Sequence, residues 1–160
     1  MTQSHNATDA DGFSVLMTEL VLPQHTNALG TIFGGVVMGW IDVAGAIAAM
    51  RFARRPVVTV SIDYLHFIVP IKKGNTVLTR ARVTYSGKTS MEVEVLVEAE
   101  NSITGVTKKA THAYLTYVAV DDNGDPTPVP AFKPKTKEEE ARYQGALERK
   151  RNRLNTQKNT

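Results

Sequence analysis

Between Ile32 and Met50 the chain runs nineteen residues with a single charge, Asp42. A helix this apolar on every side has to be buried on nearly every side, in lipid or at the centre of a soluble protein. The Gly30/Gly34 and Gly35/Gly39 spacings would suit close helix packing in a membrane. A carboxylate near the middle is costly there, however, and no second such stretch accompanies it. The segment is therefore read as the core helix of a soluble protein, with no membrane span. It opens at Gly34-Gly35 and runs to about Phe52. Arg54, Arg55 and Pro56 end it, placing positive charge where the helix dipole favours it.

The segments around this helix read as strands. Phe13 to Leu22 is the first, ended by Pro23, and Gln24 to Thr31 is a polar loop. Val57 to Ile68 is β-branched and aromatic. Thr76 to Tyr85 alternates, with Val77, Thr79, Ala81, Val83 and Tyr85 on one face. Met91, Val93, Val95, Val97 and Ala99 share a face of the next strand, with Glu92, Glu94, Leu96, Glu98 and Glu100 opposite. Thr107 to Val120 is the last. Short turns between the later strands favour antiparallel pairing. The fold class is α+β: five strands in a curved antiparallel sheet wrapped around one helix. One such sheet cannot cover an all-round apolar helix, so a partner or a flanking segment has to cover the rest.

With 160 residues, 42% of them hydrophobic, the chain suits one folded domain. Residues 12–125 form it, after a polar lead over 1–11 that is expected to be disordered and has no signal-peptide pattern. Residues 126–160 are a Pro-rich linker and a basic tail. From Lys133 onward there are nine Lys/Arg and four Glu, whereas the rest of the chain has a net charge of −2. The basic character thus belongs to the tail, and nothing in the body calls for nucleic acid. Thr136 and Glu139 form a capping-box pattern, and the tail is expected to be a solvated or loosely docked helix outside the core, a polyanion-binding tail being the alternative. There is no cysteine, so disulfides and thiolate nucleophiles are excluded. No histidine pair has metal-ligand spacing, so no metal is expected.

Asp42 is the residue whose placement asks for chemistry. An ionised carboxylate among apolar neighbours needs partners, or its proton affinity rises until it can act as a base near neutral pH. The alternative is a structural Asp that caps a neighbour or pairs with an arginine. Gly34 and Gly35 open the helix, and N–H groups at such a terminus suit an anion or a developing oxyanion. They could equally serve only the tight entry of the chain. Gly35 and Asp42 are two turns apart, ~10 Å along the helix, which is long for one carbonyl group to meet both. A water or a second subunit would close that gap. Asn27 could orient water or a carbonyl, or simply cap its loop, and His25 ranks below it.

LPQHTNALGTIFGGVVMGWIDVAGAIAA, VVTVSIDYLHFIVPIKKGN and YSGKTSMEVEVLVEAEN together resemble the hotdog-fold acyl-CoA thioesterases of the cytosolic acyl-CoA hydrolase type, over about Gly12 to Val120. The resemblance implies a soluble, cytoplasmic homo-oligomer, a dimer as minimal unit and a trimer of dimers above it. It implies acyl-CoA as substrate, with no cofactor. Asp42 matches the catalytic carboxylate, as general base or nucleophile. Asn27 matches an asparagine acting with it across the dimer, and the Gly35 N–H the group that polarises the thioester. Val60, Ser61, Ile62, Thr89, Ser90 and Met91 match segments that contact coenzyme A. Thr31 stands at a position that varies in the family. A non-catalytic acyl-CoA binder on the same fold is the alternative; a buried carboxylate would gain it nothing. A hotdog dehydratase would want a histidine on or near the helix, which has none.

Overall fold

The alternation in the later strands sets the architecture. In the computed structural model, which describes residues 12–158, Val15–Leu20 (β1), Val57–Phe67 (β2), Thr76–Ser86 (β3), Ser90–Glu100 (β4) and Thr107–Ala119 (β5) form one sheet. The lead expected over residues 1–11 lies outside the described residues. Every pairing is antiparallel and the order is β1-β3-β4-β5-β2, so β1 and β2 are the edges. Val93, Val95 and Val97 of β4 and Ala113, Leu115 and Tyr117 of β5 are fully buried on the inner face. Against them lies Gly34–Ala53 (α1), which buries Val37, Ile41, Ala44, Gly45, Ala48 and Ala49. This is the expected helix wrapped by its sheet. By length and composition α1 could cross a membrane; here it is the core helix. Its C-terminus is closed by Arg54 in the left-handed region (φ 55°), whose N–H bonds the Met50 carbonyl.

Register slips in three of the strand pairs, that of β4 and β5 between Val97 and Glu98 among them. β2 slips register between Thr59 and Ser61 and again between Ile62 and Tyr64, so Val60 and Asp63 are bulged. A further slip at Thr84 pairs Tyr85 with Glu92. Tyr85 therefore leaves the core face expected for it and joins the outer one.

The outer face carries the larger correction. The tail is not a loosely held helix. Lys137–Lys158 (α2) packs on the sheet through Ala146, which is 1% exposed, and through a set of paired charges. Arg149 grips Glu92 with two hydrogen bonds (3.0 and 2.7 Å) and lies 3.6 Å over the Tyr114 ring. Arg153 pairs with Asp63, and Lys150 bonds the Tyr85 hydroxyl at 2.8 Å. The Pro-rich linker is pinned as well. Val129 N–H bonds the Lys88 carbonyl, and Ser86 Oγ bridges Pro130 and Phe132. Glu92 and Glu94, on the face opposite the valines, are thus buried beneath a second layer.

Candidate active site

Asp42 sits on α1 at the boundary between the buried seam and the edge strand β2, and is half-buried. Two hydroxyls reach its Oδ1: Thr59 Oγ1 donates at 2.7 Å and Tyr117 Oη at 3.1 Å. The Tyr117 hydroxyl also lies 2.9 Å from the Asp42 main-chain oxygen. Thr59 and Tyr117 are cross-strand partners on the inner face of β2 and β5, so the sheet presents both donors side by side. The carboxylate therefore has the partners its surroundings demand, and they are hydroxyls rather than an arginine. Sequence reasoning passed over Thr59 and Tyr117. The available signal was a polar group at an inward position of each strand, opposite the one carboxylate of the helix.

The loop before α1 is shaped by Asn27. Its Oδ1 accepts from the N–H groups of Leu29 (2.9 Å) and Thr31 (3.3 Å), and its Nδ2 lies 3.0 Å from Thr31 Oγ1. That gives Thr31 a role, as the clamp on the Asn27 amide. Among the described residues no hydrogen bond joins Asn27 to Asp42. His25 Nδ1 accepts from Leu22 N–H at 3.1 Å, and its ring meets Trp40 edge-on at 5.3 Å, so it anchors the loop to the helix. Gly35 is exposed, with open space where a Cβ would stand. Helical hydrogen bonding starts at Val36 and Val37, which bond the Phe33 carbonyl, so the Gly34 and Gly35 N–H groups face outward. Thr31, Ile32, Gly34, Phe67 and Pro70 contribute to a cleft of about 370 Å³ at this end.

Of the remaining residues singled out in the sequence, Val60 is 59% exposed on its bulge and Ile62 is also exposed. Ser61 Oγ bonds Asp63 Oδ1, and the Thr89 carbonyl accepts from Ala119 N–H. Ser90 is half-buried; the Met91 side chain is 1% exposed within the core, so only its backbone can meet a ligand. Among the described residues, no group of three His, Cys, Asp or Glu could hold a metal ion.

Comparison with known proteins places the chain in a family. Residues 29–106 match the thioesterase superfamily. The uncharacterized acyl-CoA thioester hydrolase YkhA of Bacillus subtilis is 40% identical over 146 residues, covering 91% of this chain and 85% of the relative. The chain belongs to the thioesterase superfamily. Within it, a solved apo-hexameric acyl-CoA thioesterase superposes with a TM-score of 0.85 at 45% identity, covering 89% of this chain and 91% of the other. The acyl-CoA hydrolase of Staphylococcus aureus, in complex with butyryl coenzyme A, coenzyme A and coenzyme A disulfide, gives 0.83 at 38% identity, with 89% and 87% covered. That superfamily member is also known as three alanine mutants, of an aspartate, a threonine and an asparagine.

Proposed function

We propose that this chain hydrolyses acyl-CoA to free carboxylic acid and coenzyme A, with Asp42 as the reacting carboxylate and no cofactor. The observation that carries the reading is the Asp42 carboxylate itself. It is the one carboxylate of an apolar core helix whose other charge, Arg51, lies in the last turn, and it is held on Oδ1 by Thr59 and Tyr117 while only half-buried. The three residues mutated in the S. aureus enzyme are spaced fifteen and then seventeen positions apart, the same steps that separate Asn27 from Asp42 and Asp42 from Thr59.

The chemistry follows from these groups. The Gly35 N–H, at the positive end of α1, polarises the thioester carbonyl and receives the developing oxyanion. Asp42 removes a proton from the attacking water, or attacks the carbonyl itself to give a mixed anhydride that water then opens. The C–S bond then breaks and coenzyme A leaves as a thiolate, which takes up the proton Asp42 removed in the first route, or one from the water that opens the anhydride in the second. Single-turnover hydrolysis in ¹⁸O water separates the two routes: label in Asp42 means the anhydride.

The working unit is a homodimer assembled along β2, within a larger assembly such as a trimer of dimers. Met38, Val43 and Met50 form the exposed side of α1, and Val43 is 50% exposed. On the edge strand, Ile62, paired with the buried Leu115, faces the same side of the sheet as α1, and Val60 stands out exposed on its bulge. An open strand edge next to an uncovered apolar helix face calls for a second copy. Relatives described as hexameric support that reading. In the dimer Asn27 of one subunit serves Asp42 of the other, which agrees with the lack of any bond between them within one chain. The proposed compartment is the cytoplasm, where acyl-CoA substrates are made and used.

Asp42→Ala tests the assignment. It should fold and assemble yet lose ~10²–10⁴-fold in kcat, the usual loss when a general base is removed. Release of coenzyme A from a panel of acyl-CoAs gives the readout, and a variant keeping a third of wild-type kcat would sink the role of Asp42.

A further inference from the structure

Tyr117 is wholly enclosed in the seam between α1 and the sheet. Its hydroxyl is shared between the Asp42 main-chain oxygen (2.9 Å) and Oδ1 (3.1 Å). The ring can sit so close beneath the helix because residue 45 is glycine. A Cβ at Gly45 would stand 2.3 Å from Tyr117 Oη, 3.0 Å from Cζ and 3.1 Å from Cε2. Burial, and then the neighbouring charge of Asp42, push the phenol well above its usual range, so it remains a proton donor at any working pH. Thr59 donates to the same Oδ1. Among the described residues no hydrogen bond ends on Oδ2.

We propose that Tyr117, seated by the gap at Gly45, is a positioning residue that fixes Asp42 through Oδ1 and leaves Oδ2 as the oxygen that acts on water or thioester. This rests on the reading of Asp42 as the reacting carboxylate. A carboxylate on a short side chain has two soft torsions, and two donors on one oxygen remove that freedom before substrate arrives. The helix carbonyl held by the same phenol also fixes the backbone from which the side chain springs.

Tyr117→Phe keeps the ring and its burial and removes only the donor. It should lower kcat ~10–100-fold, the scale of one lost hydrogen bond to a charged group, with KM little changed. Gly45→Ala, which crowds the hydroxyl out of its seat, should reproduce the loss. Added to Tyr117→Phe it should lower kcat further by much less than it does alone, since the closest clash has gone. Wild-type kcat in Tyr117→Phe would overturn the proposal. So would a kcat loss accompanied by a raised KM or a lowered melting temperature, which would mark a packing role. Asp42→Asn separates the levels. If it retains turnover, the reading of Asp42 falls; if it is dead while Tyr117→Phe is normal, only the role of Tyr117 falls.

Discussion

The Glu92–Arg149 pair gives the sharpest test of how α2 is held. The Glu92 side chain is 4% exposed and that of Arg149 26%. Arg149→Ala removes both guanidinium hydrogen bonds and the cation lying over Tyr114, leaving Glu92 with the Thr84 hydroxyl at 2.7 Å. Breaking a buried pair by removing one partner destabilises by about 3–5 kcal/mol. Here the arginine end is partly hydrated and Thr84 stays, so a loss of about 2 kcal/mol is expected. For a chain of this size that is a fall of ~4–8 °C in melting temperature, measurable by thermal circular dichroism. The compensated variant Arg149→Met with Glu92→Leu should recover most of it, because no unpaired charge remains. Deleting residues 133–160 should be at least as damaging, since it uncovers the whole outer face. A fall below about 1 °C in Arg149→Ala would mean that α2 is not docked in solution.

Glu94 makes stability pH-dependent. Burial alone would raise its pKa, but hydrogen bonds from His112 (2.8 Å) and Arg82 (2.6 Å), with their charges, outweigh it and hold Glu94 at about 2 against an ordinary 4.5. A depressed carboxylate stabilises the fold above its unfolded pKa and loses that contribution as pH falls to the folded one. About 3 kcal/mol should therefore disappear between pH 4.5 and about 2, and acid titration of Glu94→Gln should lack that component. Co-refolded Asn27→Ala and Asp42→Ala chains should regain about a quarter of wild-type activity, since half of random dimers are mixed and each has one intact site. No recovery after verified mixing would remove the shared-site model. Val60→Lys should dissociate the assembly while leaving a folded chain; unchanged mass by light scattering would place the dimer contact elsewhere.

Where one physical rule governed, the sequence was readable. The valines of β4 obey period two because a helix lies on one side, and α1 announced itself because its apolar residues go all the way round. Asp42 was visible as the exception within that pattern. The misses arose where two rules compete. Bulges at Val60 and Asp63 cannot be seen in a strand whose β-branched and aromatic residues follow no strict alternation, yet they turn Asp63 outward to meet Arg153. Glu92 and Glu94 could be placed only opposite the valines, because alternation reports only which residues share a side. It does not report that a basic helix, with few apolar residues of its own, will cover that side through charge. Thr59 and Tyr117 needed the register between β2 and β5, a long-range fact that no local pattern carries.

The closeness of α1 to the sheet bears on which substrates fit. Gly45 lets the helix settle until Tyr117 touches it, and Ile41, Ala44, Val93, Val95 and Leu115 leave no accessible surface in the seam around it. An acyl chain whose thioester reached Asp42 would find no room beneath the helix. It would have to run along the outside of α1, past Met38 and Val43, where a second copy would form the opposite wall. Chain-length preference in this protein would then be written in the fit between two surfaces. Substitutions that retune it should fall at exposed positions such as Met38 and Val43, and leave the folded interior of each chain untouched.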